Sequence, residues 1–136
     1  MGTVLKIVGG MAVVFVTFLA TLRALDTLGT SCPAGERFEL TRPFPPASPP
    51  SSGGRSFANS VPALESFADS MTGPNRSPVI VCEGNIPLGP AHALHSDIAA
   101  KGAGSFSHWG PYVIFSSSDG SDPNANGRSY VVVKPR

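Results

Sequence analysis

The chain has 136 residues, with ten Lys or Arg against nine Asp or Glu and a formal net charge of +1. Its charges are scattered, which excludes the concentrated positive surface that nucleic-acid binding requires. The length allows one domain at most. The 15 Gly and 14 Pro residues favour turns and extended segments over long exposed helices.

The first predicted element is an apolar helix at the N-terminus. Residues 7–22 carry no charge and lie between Lys6 and Arg23. A helix over these residues spans about 24 Å, close to the roughly 30 Å core of a bilayer once flanking residues are added. We expect a single-pass transmembrane signal-anchor over residues 1–25, with the C-terminal domain outside the cytoplasm. The alternatives are a cleaved signal peptide, which would leave a secreted domain, and a buried soluble segment.

An extended linker is predicted over residues 26–56. Its second half, residues 43–56, holds five Pro residues together with Ser and Gly. Pro lacks the backbone N–H that helices and central strands use, so this composition favours an extended chain. The segment would act as a spacer above the membrane; a docking peptide for a partner's Pro-binding groove is the alternative.

The domain predicted over residues 57–136 begins with a short amphipathic helix. Phe57, Val61, Leu64, Phe67 and Met71 recur at spacings of four and three residues, which is one face of a helix. We expect this helix at residues 61–70, capped by the preceding Ser, with its apolar face covering a sheet.

Two hairpins and a second helix complete the predicted domain. Residues 78–82 and 86–88 favour strands around a turn. Residues 91–101 favour a helix that ends at Gly102 and buries Leu94 and Ile98. Residues 112–116 and 129–133 are predicted to pair as a long-looped hairpin within the segment 105–133. This order is typical of a small α+β domain with an antiparallel sheet.

The segment 105–133 holds the candidate binding residues. It has aromatic side chains at the base of the predicted hairpin and polar side chains in its loop, a combination that suits a sugar ring or a partner protein. The candidates are Trp109, Tyr112, Asp119, Asp122, Asn124, Asn126 and Arg128.

The same loop resembles the first half of a calcium-binding loop. Asp122, Asn124 and Asn126 would supply alternate oxygen ligands, and Gly127 would permit the sharp turn. Val133 stands where the bidentate Glu is required, so ordinary turn chemistry explains the same residues. Calcium is the one candidate cofactor, and no other is predicted.

Three histidines offer another possible metal site. His92 and His95 lie three residues apart, and His108 or Asp97 could add a ligand. No second closely spaced pair completes such a site, and polar packing around the start of the helix or beside Trp109 is the alternative.

Cys32 and Cys82 are the two cysteines of the chain. In an exported domain they could form a disulfide that ties the segment near the membrane to the first strand of the first hairpin. Two free thiols are the alternative.

Together these patterns predict a membrane-tethered, non-enzymatic binding or accessory module that contacts a protein partner or an envelope glycan through residues 105–133. One alternative is a small secreted or anchored hydrolase of envelope polymers, with His108 and Asp119 or Asp122 near its site, although no nucleophile elbow is present. Another is a structural subunit of a membrane complex. A binding module would show an outward aromatic patch, whereas an enzyme would show a cleft where a His and a carboxylate converge.

Overall fold

The computed structural model describes residues 31–136, in which Cys32–Arg136 forms one compact unit. Its helices are one α-helix and two short 3₁₀ helices, and the rest of its regular structure is strand. The strands are β1 (Gly35–Glu39), β2 (Phe57–Ser60), β3 (Ile80–Glu83), β4 (Ile86–Pro87), β5 (Phe106–Trp109), β6 (Tyr112–Phe115) and β7 (Tyr130–Pro135). The α-helix, α1, is His95–Lys101, and the 3₁₀ helices are Pro50–Ser52 and Pro62–Phe67. The predicted α+β class is confirmed.

The strands form two antiparallel sheets. The larger sheet has the order β1-β7-β3-β4, and the smaller has the order β2-β6-β5. Strand β7 occupies the interior of the larger sheet because its run Val131, Val132, Val133 is buried on both faces. Such a continuous β-branched run is typical of a strand with neighbours on both sides.

The main core combines side chains from both sheets. Val81 and Val132 of the larger sheet belong to the same apolar cluster as Val113 and Phe115 of the smaller sheet. Phe44 lies in this cluster too, and its ring centroid is 5.4 Å from that of Phe115 in an edge-to-face arrangement. Aromatic edge-to-face pairs of this kind add to the stability that their buried area supplies.

The prediction that residues 112–116 and 129–133 pair as a hairpin is wrong. Strands β6 and β7 are both present, but they belong to different sheets. Strand β6 pairs instead with β5 through a tight turn at Gly110 (φ +54°), which places Trp109 opposite Tyr112. A strand pattern predicts an extended segment but does not identify the strand with which it pairs. Strands that are adjacent in the chain are usually adjacent in the sheet, which favoured β7 as the partner of β6.

The first predicted helix is a 3₁₀ helix and is shorter than expected. Ser60, the predicted cap, belongs to β2, and no side chain caps the 3₁₀ helix. Val61 and Leu64 are buried as predicted, whereas Met71 is 89% exposed. Phe57, the first residue of the helical pattern, lies instead in β2, where it pairs with β6.

The second predicted helix forms, with a later start. It begins at His95 and ends at Gly102, whose left-handed φ of +57° is the predicted stop. Ile98 is fully buried, but Leu94, its predicted partner, is 69% exposed. Leu94 has an extended backbone at the N-cap, so it does not share the apolar face of the helix.

The segment predicted as a linker contributes to the domain from Cys32 onward. Leu40 and Phe44 are buried in the core. Further along, Pro46 forms a bridge with Phe57, and Ala47 N donates to the carbonyl of Ser56 at 2.9 Å. Burial of two large apolar side chains thus anchors a Pro-rich stretch that composition alone favours as a spacer.

The predicted transmembrane segment, residues 1–25, lies outside the described residues. Within residues 31–136 no helix is long and apolar enough to cross a membrane.

A disulfide joins Cys32 to Cys82, which resolves the two alternatives for these residues. Their Cα atoms are 6.0 Å apart, and Cys32 N donates to the carbonyl of Asn85 at 2.8 Å. The start of the compact unit is thereby attached to β3. With a sequence separation of 50 residues, the chain-entropy account assigns such a bond about 4 kcal/mol.

Candidate functional site

A cleft of about 440 Å³ opens beside Trp109, at the outer edge of the smaller sheet. Apolar side chains supply much of its wall, and four polar ones complete it. The lining residues are Pro74, Asn75, His92, Ala93, Leu94, His95, Ser96 and Trp109. The volume and the mixture of an apolar wall with a few polar groups are typical of small-ligand sites. No carboxylate belongs to this set.

Two non-strand segments flank the outer edge of β5 and build the cleft. At the first residue of β5, Phe106 N donates to the carbonyl of Pro90, and Ala93 N donates to that of Phe106, each at 3.0 Å. At the end of the strand, Asp69 forms a parallel bridge with Trp109, and Asp69 N donates to the carbonyl of His108 at 2.9 Å. The edge strand therefore brings together segments that are distant in the chain.

One polar residue of the lining, His92, is paired with a carboxylate that lies outside the lining. His92 Nδ1 is 2.7 Å from Oδ2 of Asp69, whose side chain is fully buried, while the His92 side chain is 25% exposed. The other carboxylate oxygen, Oδ1, accepts a hydrogen bond from Ser77 N at 2.8 Å. Because a carboxylate only accepts hydrogen bonds, the Nδ1 atom must carry the proton. Nε2 then lies on the side of the ring opposite the buried carboxylate.

His92 has an unusual backbone conformation. Its φ is +56°, and among the described residues it is the one position other than glycine with a positive φ. The left-handed region is strained for residues with a Cβ, and such residues concentrate at binding and catalytic sites. The hydrogen bond from Ala93 N on the next residue and the bond to Asp69 hold this conformation.

Trp109 and His95 also belong to the cleft wall and contact each other. Their ring centroids are 6.4 Å apart with an interplanar angle of 87°. This edge-to-face contact favours one orientation of the indole, and the indole supplies an aromatic surface to the cleft.

Three buried polar residues, Ser105, Ser107 and His108, lie in β5 or directly before it. His108 is 1% exposed, and its Nδ1 is 2.8 Å from Oγ of Ser77. Burial lowers the pKa of His108, and the nearby charge of Asp69 opposes that effect only in part. His108 Nε2 and the hydroxyl groups of Ser105 and Ser107 have no hydrogen-bond partner among the described residues. Ser77 therefore connects the two histidines: its hydroxyl contacts His108, and its N–H donates to the Asp69 carboxylate that holds His92.

The predicted residues Asp119 and Arg128 form an ion pair away from the cleft lining. Arg128 donates to both Asp119 oxygens, at 3.0 and 2.7 Å, and to Glu83 Oε1 at 3.1 Å. The hydrogen bonds from Arg128 hold the pKa of Asp119 well below its ordinary range. Burial acts to raise the pKa of Glu83, but hydrogen bonds from Ser118 leave it below its ordinary value.

Tyr130 connects that ion pair to the core. Its hydroxyl donates to Glu83 Oε2 at 3.0 Å and accepts from Asn126 Nδ2 at 2.7 Å. Burial, reinforced by the hydrogen bond to Glu83, raises the pKa of Tyr130 to about 12. The cluster thus fastens the loop before β7 to strands of the larger sheet.

The candidate calcium ligands make internal hydrogen bonds. Asn124 accepts from Phe44 N at 2.7 Å and donates to Phe44 O at 3.0 Å. Asp122 accepts from Asn124 N, and Asn126 accepts from Arg128 N. Among residues 31–136, no three His, Cys, Asp or Glu side chains are grouped so as to hold a metal. These contacts give the loop residues a role in turn structure, and calcium binding stays a prediction.

The structure brings only one of the seven predicted binding residues to the cleft. That residue is Trp109. Tyr112 lies opposite it on β6 and is 51% exposed, while the other five lie in the loop between β6 and β7. Asp69 was missed because it falls within the predicted first helix, and 23 residues separate it from His92. No spacing motif joins two such residues.

No protein-family model, curated protein or solved structure matches the chain. The functional assignment therefore rests on the residues that line and support the cleft.

Proposed function

We propose that the chain is a membrane-tethered module, exposed outside the cytoplasm, that binds a glycan through the cleft beside Trp109. The observation that carries this proposal is the indole of Trp109, which lines a cleft of about 440 Å³ and packs edge-to-face with His95. Sugar rings present apolar C–H faces that stack on aromatic rings, and a few polar groups then bind their hydroxyls. Asn75, His92 and Ser96 provide such groups on the same wall.

The size of the cleft favours a glycan over a protein partner. Ligand clefts of a few hundred Å³ enclose small molecules, whereas a stable protein interface covers about 800 Å² on each partner. One or two sugar rings would fill the space beside Trp109. The proposed contact surface is therefore narrowed from the whole segment 105–133 to the outer edge of β5 and the segments beside it.

The disulfide supports the proposed location. Bonds such as Cys32–Cys82 persist in oxidising compartments and are rare in the cytosol. An N-terminal signal-anchor at residues 1–25 would deliver the domain to such a compartment. Carbonate washing of membranes tests the tether: the full-length chain should stay in the pellet, and release of a shortened chain would replace the anchor with a cleaved signal peptide.

Trp109 is also the reporter for the binding test, because it is the single Trp of the chain. We expect a saturable change in its fluorescence when a trimer of N-acetylglucosamine, glucose or galacturonate is titrated into the protein. Trp109→Ala should abolish the heat of binding in calorimetry, whereas Tyr112→Ala, on the neighbouring strand, should retain it. No response to any of the three sugars, together with recovery of a stoichiometric protein partner, would replace the glycan with a protein ligand.

A further inference from the structure

We propose that the cleft is also a hydrolytic site, in which His92 acts as a general base toward an ester and Asp69 is its positioning residue. The substrate class is a sugar that carries a small O-acyl group. This inference rests on the proposed glycan site, because the same cleft must admit the acylated sugar, and it adds a chemical step to binding.

The geometry of the pair is that of an oriented base. Asp69 is itself held in place, since its Oδ1 accepts from Ser77 N at 2.8 Å and its own N–H donates to the carbonyl of His108. Its Oδ2 fixes the Nδ1 proton of His92 at 2.7 Å. In the neutral imidazole the free lone pair is therefore on Nε2, which no hydrogen bond among the described residues engages. A catalytic imidazole needs this combination of a tethered nitrogen and a free one.

The position of His92 favours a functional role over a purely structural one. A partner for the buried carboxylate of Asp69 could lie entirely within the core, yet this imidazole lines the cleft and is partly exposed. Its backbone is held at φ +56°, where glycine would be free of strain. Strain that the surrounding structure maintains at a cleft is a recognised mark of functional sites.

The lining residues select the reaction class. Glycoside hydrolysis normally uses two carboxylates that flank the bond, and the cleft lining contains none. Ser96 is the one hydroxyl of the lining, and no hydrogen bond among the described residues joins it to His92. Water is thus the nucleophile, and an ester is the bond that a single oriented base can open.

The proposed step is balanced without a further reactant. Nε2 of His92 takes a proton from water as the water oxygen bonds to the ester carbonyl carbon, and the carbonyl electron pair moves to oxygen. The tetrahedral intermediate then breaks its bond to the sugar oxygen, which takes the proton back from Nε2. A carboxylic acid and a free sugar hydroxyl leave, and the imidazole is neutral again. Asp69 stabilises the imidazolium between the two transfers, and the Asn75 amide is a lining donor suited to the oxyanion.

The test measures hydrolysis of 4-nitrophenyl acetate and of glucose pentaacetate by the full-length protein. We expect turnover above the buffer rate, slowed in deuterated water because a proton of water is transferred. His92→Gln should lower the rate about 100-fold or more, as loss of general-base catalysis does. Glu65→Gln, on an exposed 3₁₀ turn outside the cleft, should leave it unchanged.

His92→Gly provides a readout that a structural role would not move. Glycine accepts the left-handed backbone, and the space left by the side chain can admit free imidazole. Added imidazole should restore turnover in His92→Gly, after subtraction of the imidazole rate without protein, and should leave His92→Gln unchanged. Circular dichroism and Trp109 emission establish that each variant is folded.

The outcomes separate this inference from the proposed function. Absent turnover of both esters in the wild type, or wild-type rates in both His92 variants, would overturn the hydrolytic proposal even if sugars still change Trp109 fluorescence. Turnover that depends on His92 without any response to the three sugar trimers would instead overturn glycan binding and, with it, the acylated-sugar substrate, and would leave only the ester-hydrolysing pair of His92 and Asp69.

Discussion

His92 Nδ1 lies 2.7 Å from Oδ2 of Asp69, a carboxylate with no exposed side-chain surface, 23 residues earlier in the chain. The pair exists because β5 has segments on its outer edge that are not strands. One of them carries the base of the proposed site and the other carries its orienting group. The short edge strand β5, with these two segments beside it, therefore forms part of the cleft wall.

Removal of the buried carboxylate should destabilise the domain. Asp69→Ala leaves Ser77 N buried without its acceptor and leaves His92 Nδ1 without its partner. We expect a loss of about 3 kcal/mol in the free energy of unfolding, measured with urea. Asp69→Asn is the matched control, because its amide oxygen can still accept from Ser77 N, and it should lose less. An unchanged unfolding midpoint for the Ala variant would contradict the importance of the pair.

The backbone strain at His92 predicts an unusual ranking of two variants. His92→Ala and His92→Gly both lose the hydrogen bond to Asp69, so that loss cancels between them. At φ +56° the Cβ of alanine is strained and glycine is not. We expect the Gly variant to be more stable by about 1 kcal/mol, the reverse of the order in helices and strands. Urea unfolding of both proteins measures the difference, and a more stable Ala variant would exclude the strain.

Some of the fold could be predicted from residue patterns, because the relevant information is local. The β-branched residues of β3 and β7, the aromatic and β-branched residues of β6 and the stop at Gly102 are local patterns that each depend on a few neighbours, and each element forms. Strand pairing is not local. Residues 130–133 and 112–115 carry strand patterns of the same kind, and only the core packing places them in different sheets.

The candidate site could be predicted less well. The 3₁₀ helix ends at Phe67, and Ala68 then takes an extended conformation that allows Asp69 to bridge to Trp109. Helical periodicity continued through this point, so Asp69 fell within the predicted helix. In the loop, Asn and Asp signal both turns and calcium sites, and the contact of Asn124 with Phe44 shows how one such residue is used. Sequence proximity could not reveal that contact.

Acid should destabilise the domain through His108. Burial lowers the pKa of His108 in the folded chain. Below about pH 6.5, the ordinary pKa of histidine, the unfolded chain therefore binds a proton that the folded chain binds only at lower pH. The contribution of neutral His108 to the free energy of unfolding is present above that pH. It is lost as the pH falls through the folded pKa, by at most about 1.4 kcal/mol per pH unit. Urea unfolding from pH 7.5 to 5.5 measures this slope. His108→Gln should flatten it, and an equal slope in both proteins would assign the acid sensitivity elsewhere.

Alkali should act through Tyr130. Burial raises its pKa to about 12, whereas the unfolded side chain ionises near 10. The unfolded chain therefore loses a proton first, and stability should fall as the pH rises from about 10 toward 12. Phenolate absorbance should show a late step that is missing in Tyr130→Phe. A single step near pH 10 in the folded protein would contradict the burial of this hydroxyl beside Glu83.

The disulfide should account for a large part of the stability of so small a domain. Cys32 and Cys82 join two points that are 50 residues apart in sequence, and loss of the bond frees that loop in the unfolded chain. We expect Cys32→Ser with Cys82→Ser to lower the free energy of unfolding by about 4 kcal/mol. Wild-type protein treated with reductant should match the double variant. Mass analysis after alkylation gives the covalent state: the unreduced wild type should take up no label, and two labelled thiols without reductant would show that the bond is absent from the protein.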